Sequence, residues 1–234
     1  MLQIYQRTIS EPINFEGIGL HSGKISKITV LPGKENEGIV FKRTDLEQDN
    51  FIKADYQSVA SAKLCTTLEN ECGVRVSTVE HLLAALYIAE VDNAIIEIDN
   101  EEVPIMDGSA KNFLETLNKT EIRILSEKWK YLKVLNKVEL IDGSRKISIV
   151  PSETFEVDFQ LNYENKIIGK QRNLVNFDND NLDDVSKSRT FCLFEDIEAI
   201  KKAGLAKGGS LDNAVVVDKD KVLNEGGLRN TKEF

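Results

Sequence analysis

The sequence predicts an α+β protein made of two two-layer sandwich domains, each a β-sheet packed against helices. Three observations lead there. Strand-like and helix-like segments are mixed without the regular βαβ alternation of a doubly wound sheet. A polar stretch at 118–130 interrupts the chain, and beyond it a strand pattern restarts. With 234 residues, 41% of them hydrophobic, there is material for two cores, and wholesale disorder is excluded. The expected division is residues 1–124 and residues 128–234.

The elements follow in order. Residues 25–30 are strand-like and run into the Pro32-Gly33 break. Between 77 and 90, Val79, Leu82, Leu83 and Leu86 fall at i, i+3, i+4 and i+7, one stripe of a helix. Residues 94–98 form a strand candidate. Ser109 is placed to cap a second helix with the stripe Phe113, Leu114 and Leu117. In the second half, 134–140 and 146–150 flank Asp142-Gly143, a hairpin signal. Phe155, Val157, Phe159 and Leu161 alternate with polar residues, the period of a half-buried strand. A polar loop at 176–184 leads to Ser188-Arg189-Thr190-Phe191. A short helix at 195–203, a glycine-rich turn and a strand at 214–217 complete the pattern.

Charge and composition narrow the function. The formal net charge is -9 and no stretch is strongly basic. A nucleic-acid groove, which needs clustered Lys and Arg, is therefore not expected. The N-terminal Met1-Leu2-Gln3-Ile4-Tyr5-Gln6-Arg7 lacks the apolar run of a signal peptide. No segment reaches the roughly 18 apolar residues of a membrane span. Cys65, Cys72 and Cys192 show no paired metal spacing, so reduced thiols in a cytoplasmic protein are expected.

The segment with most chemistry is Ser77-Thr78-Val79-Glu80-His81-Leu82. At about 100° per residue, Glu80 and His81 point away from the apolar stripe. Their helical neighbours there are Ala84, Ala85 and Ile88, so the helix is expected to be buried nearly all round. Two readings compete. Ser77 and Glu80 have the spacing of a capping box, which leaves His81 a hydrogen-bonded core residue. Alternatively, His81 is a metal ligand and Glu80 accepts a proton from metal-bound water. Gly17-Ile18-Gly19-Leu20-His21-Ser22-Gly23 places His21 on a tight turn. Asp107 precedes a helix and is placed to satisfy its first amides. A metal-free pair of carboxylates, Glu80 and Asp107, is a further possibility that leaves His81 without a role.

Taken together, these segments are much more specific. Gly17-Ile18-Gly19-Leu20-His21-Ser22-Gly23, Cys65-Thr66-Thr67-Leu68, Ser77-Thr78-Val79-Glu80-His81-Leu82 and Pro104-Ile105-Met106-Asp107-Gly108-Ser109-Ala110 occur in that order. Ser188-Arg189-Thr190-Phe191, Gly208-Gly209-Ser210-Leu211-Asp212-Asn213-Ala214 and Val222-Leu223-Asn224-Glu225-Gly226-Gly227-Leu228-Arg229 follow. The set resembles the zinc-dependent UDP-3-O-acyl-N-acetylglucosamine deacetylases of lipid A synthesis over nearly the whole chain.

That resemblance implies a site between two domains and hydrolysis of an acetamide. By position it implies His81 as a Zn2+ ligand, Glu80 as general base and Thr190 as the hydroxyl that stabilises the oxyanion. It implies that Phe191, Ile197, Ala206, Gly209 and Ser210 line the passage for the acyl chain of an acylated UDP-N-acetylglucosamine. His21 and Asp107 fall in motifs near the site without an assigned role. A cytoplasmic monomer is expected. The resemblance also implies a second His and an Asp as further ligands, on a helix after the Leu228-Arg229…Glu233-Phe234 motif, and a later His. This sequence ends at Phe234 with His21 and His81 as its only histidines. The expectation is therefore a second domain incomplete at its C-terminus, in a fragment of an enzyme. The alternative is a non-catalytic truncated paralogue that binds the acylated nucleotide sugar.

Overall fold

The structure, a computed structural model, describes residues 4–234, so the Met1-Leu2-Gln3 part of the N-terminal stretch lies outside it. The α+β class is observed: four α-helices and seventeen strands lie among the described residues. None of these helices is long and apolar enough to cross a membrane.

The first strands are β1 (Tyr5–Ile9), β2 (Ile13–Ile18), β3 (Ile25–Pro32), β4 (Ile39–Arg43) and β5 (Phe51–Lys53). Then come β6 (Val59–Ser61), β7 (Thr67–Glu69), β8 (Arg75–Ser77), α1 (Glu80–Ile88), β9 (Ala94–Ile98), α2 (Lys111–Leu117) and β10 (Ile122–Lys128). A five-stranded sheet has the order β2-β3-β9-β4-β5, with β4 and β9 parallel. β6, β7 and β8 form a second, three-stranded sheet. β1 pairs antiparallel with β10, Ile9 opposite Ile122. The polar stretch at 118–130 thus contains a strand. Its sequence hides this because β10 has one partner and no buried residue.

Alternation builds the core. On β9, Ala94, Ile96 and Ile98 are fully buried, while Ile95 and Glu97 lie on the less buried face. Leu82, Ala85 and Leu86 of α1 and Phe113 and Leu117 of α2 pack over the same cluster. Phe113 meets Phe15 edge to face at 5.0 Å. A nine-residue helix is too short to persist alone, so this packing holds α1. The helix is not buried all round: Ala84 and Tyr87 face solvent. It stops at Glu90, whose φ of 57° is left-handed, with Glu90 and Val91 amides donating to the Tyr87 and Leu86 carbonyls.

The remaining elements are β11 (Val138–Asp142), β12 (Arg145–Ile149), β13 (Glu156–Asn162), β14 (Lys170–Asn176) and α3 (Asp183–Lys187). β15 (Phe191–Leu193), α4 (Ile197–Lys202), β16 (Val215–Asp218) and β17 (Lys221–Val222) follow. β11 and β12 form the predicted hairpin, with Gly143 at φ 58° in its turn. β15 runs parallel to β16. Ile168, Val215 and Val217 make a second, smaller core that Phe191, Leu193 and Phe234 adjoin. The expected half-buried strand differs: Phe155, Val157 and Phe159 are largely exposed, because β13 pairs only with β14 and only Leu161 of this row reaches the second core.

Candidate functional site

Strand β8 delivers the first two residues. The Ser77 amide donates to the Glu101 carbonyl and the Val103 amide to the Ser77 carbonyl, so Ser77 is held in strand pairing. Its hydroxyl lies 3.0 Å from that of Thr67. Thr78 then takes φ 57° and turns the chain, and Val79 precedes the first helical residue, Glu80. The capping box is thereby overturned: Glu80 is the first residue of the helix rather than the third, and no side chain caps it. Its Oε2 accepts instead from the Thr66 amide at 3.0 Å. A carboxylate at a helix N-terminus is favoured by the helix dipole. Burial pushes the His81 imidazole below its ordinary value, against the opposing pull of Glu80 and Asp107. At neutral pH it is uncharged, with a lone pair available to a metal.

The turn after β2 forms the second wall. The Gly23 amide donates to the Gly19 carbonyl at 3.0 Å, closing the turn. Buried Glu102 accepts from the His21 amide at 2.8 Å, the Ser22 amide at 2.7 Å and the Thr78 hydroxyl at 2.9 Å. His21 is raised above the ordinary histidine value, chiefly by the neighbouring Cys65, which outweighs burial. Burial pushes the Cys65 thiol up, but the influence of His21 and Thr67 together brings it below its ordinary value.

Segments from the second half close over these loops. The Gly208 amide donates to the Leu20 carbonyl at 3.0 Å, and the Ala206 amide to His21 Nδ1 at 3.4 Å. A Cβ on Gly208 would lie 2.3 Å from the Gly19 carbonyl oxygen, so only glycine permits this approach. The Thr190 amide donates to the Gly108 carbonyl at 2.8 Å. Gly108, at φ 84°, sits against Asn213, whose carbonyl oxygen a Cβ would meet at 2.1 Å. Asp107 accepts from Arg229 at 2.7 Å and from the Ser109 hydroxyl at 2.9 Å. Ser109 in turn accepts from the Lys111 amide at 3.2 Å, which satisfies the first amide of α2.

The Thr190 segment thus meets the Gly108 turn, and the Ala206 segment meets the His21 turn, which Glu102 ties to Thr78. Gly209 and Ser210 belong to the same turn as Ala206 and are exposed, Gly209 with Leu20 beside it. Phe191 stacks edge-on between Tyr163 and Phe234 at 5.8 and 5.1 Å, within the second core. Ile197 opens α4, half-buried, and belongs to neither apolar cluster. Among the described residues, no three His, Cys, Asp or Glu side chains gather to hold a metal ion.

Sequence reasoning missed the supports. Glu102 looks like one of a surface pair with Glu101, yet it is among the most buried polar residues. Glu233 makes a buried ion pair with Arg189 at 2.6 Å. The one available signal was position, since Arg189 adjoins Thr190 and Glu102 adjoins the Pro104–Ala110 motif.

Comparison with known proteins places these motifs. Residues 6–234 match the family model of the UDP-3-O-acyl N-acetylglycosamine deacetylases. A protein of Phenylobacterium zucineum named UDP-3-O-acyl-N-acetylglucosamine deacetylase is 40% identical over 99% of this chain, which spans 80% of that relative. Relatives of the same name from Shewanella frigidimarina and Geotalea uraniireducens are each 41% identical. They match 99% and 98% of this chain, which covers 76% and 75% of their own length.

Proposed function

Since the chain belongs to the UDP-3-O-acyl N-acetylglycosamine deacetylase family, we propose that it is an amide hydrolase. Its reaction is removal of acetate from UDP-3-O-acyl-N-acetylglucosamine in lipid A biosynthesis. The observation that carries this reading for the site itself is the setting of Glu80. It is a carboxylate at a helix N-terminus, next to an uncharged imidazole that feels the charge of Asp107, while Thr190 is bonded to Gly108 beside that Asp107.

In this reading Glu80 takes a proton from the attacking water and later returns it to the departing amine. The Thr190 hydroxyl donates to the oxygen on which charge develops as the acetyl carbon becomes tetrahedral. Phe191, Ile197, Ala206, Gly209 and Ser210 line the way for the acyl chain, which gains roughly 0.8 kcal/mol for each CH₂ it buries. The site lies between two domains, residues 1–124 and 128–234, of a cytoplasmic monomer.

The metal of this reading is zinc, with His81 as one ligand. A catalytic zinc usually keeps three protein ligands. The described side chains do not complete such a set. Metal analysis after dialysis tests this directly. We expect well under one zinc per chain, and stoichiometric zinc would show that other residues of this chain complete the site.

For Glu80→Gln, assayed with zinc supplied, we expect turnover to fall by about 10²–10⁴-fold, the usual contribution of a general base. Folding should be kept, because the Gln carbonyl still accepts from the Thr66 amide. Near-normal turnover would remove Glu80 from the chemistry, and a broad loss of stability would make its role structural.

A further inference from the structure

Glu102 is 2% exposed, and a buried carboxylate is costly unless its oxygens are bonded. All three of its side-chain partners come from the two loops that flank the site. Oε1 takes the His21 amide at 2.8 Å and the Thr78 hydroxyl at 2.9 Å, and Oε2 takes the Ser22 amide at 2.7 Å. Gly19 admits it, since a Cβ there would sit 2.5 Å from Oε2. Its backbone bridges Ser77, the last residue of β8. A left-handed conformation is a true outlier for a β-branched residue such as Thr78, and outliers of this kind persist only where their surroundings impose them. Thr78 stands two residues before Glu80 and three before His81.

We propose that Glu102 is a positioning residue: its carboxylate locks Thr78 in the turn that aims Glu80 and His81, and holds the His21 turn in register with them. The identity of the reacting groups rests on the deacetylase reading, while the lock itself rests on hydrogen bonds alone. Glutamine is the discriminating replacement. Its amide nitrogen would face donors where Oε1 or Oε2 now accepts, so at least one bond is lost at nearly constant size.

The test is residue-resolved amide exchange with steady-state kinetics. The Thr66 amide is held by Glu80, and the Leu83 amide makes the first bond within α1, to the Val79 carbonyl. In Glu102→Gln both should exchange about tenfold faster, while Ile96 of β9 keeps its protection. With zinc supplied, kcat should fall on the order of a hundredfold at little-changed KM, the scale of an ångström-sized misplacement. Thr78→Val removes only the hydroxyl and should reproduce the faster exchange at Thr66 and Leu83. It decides the matter if Glu102→Gln does not fold. Unchanged exchange at these two amides, or a rise shared by Ile96, would overturn the lock, as would a change confined to KM. A parent chain without deacetylation is what an incomplete zinc site would give, and the exchange pattern then judges Glu102 by itself.

Discussion

Cys65 lies partly buried beside His21 and Thr67, and the two partners draw its thiol below the ordinary cysteine range. Burial raises Cys192, and the charge of Asp49 raises Cys72. A lowered value means that thiolate appears at lower pH, and thiolate is the form that reacts. Alkylation followed by mass spectrometry should therefore give Cys65 a pH midpoint below that of the other two thiols. His21→Asn should move that midpoint upward while leaving Cys192 unchanged. A Cys65 midpoint at or above that of Cys72 would mean that His21 does not support the thiolate. At the same scale, the family was legible because side-chain type and order suffice to match its motifs. Glu102 and Glu233 were not, because a carboxylate gives no sign of burial until its donors are known. The capping box failed for a related reason: nothing about threonine announces a left-handed turn at Thr78.

Helix α1 carries Glu80 and His81 on a body of nine residues, and its hold on the core runs through Leu82, Ala85 and Leu86. Leu82→Ala should destabilise the fold by about 2–5 kcal/mol, the range for deleting a buried leucine side chain. Urea denaturation checks this, and the same change at the partly buried Leu83 should cost less. Periodicity revealed this stripe, the β9 alternation and the hairpin at Gly143, because all three are repeated local signals. It could not reveal β10, an edge strand with no buried residue, since its strand character comes from β1. Nor could it show that Val157 and Phe159 of β13 stay exposed, since alternation marks a face and says nothing of what covers it.

Over the whole molecule, several contacts join the halves, and Gly108 against Asn213 is among the tightest. Gly108→Ala puts a methyl group where Asn213 stands and asks alanine for φ 84°. The left-handed conformation alone costs about 1–2 kcal/mol and overpacking typically about 1–3 kcal/mol more. We expect a lower melting temperature and faster proteolysis between 204 and 214, where the turn leaves His21. An unchanged melting profile would show that the halves do not depend on this contact. Aromatic packing joins them elsewhere, with Tyr87 of α1 set edge-on to Phe155 and Phe177 at 5.8 Å from each.

The pairing of β1 with β10 also has a consequence in time. On the ribosome, β1 finds its partner only when residues 122–128 have been made. At about 5–20 residues per second, the delay is on the order of ten seconds. Until then Thr8 and Ile9, both buried in the finished protein, belong to a strand with no neighbour on its pairing edge. A nascent chain halted shortly before residue 122 should therefore be cut readily by protease within β1. One whose β10 has cleared the ribosomal tunnel should be protected there. Equal cleavage of the two would mean that the growing chain shelters β1 by some other contact.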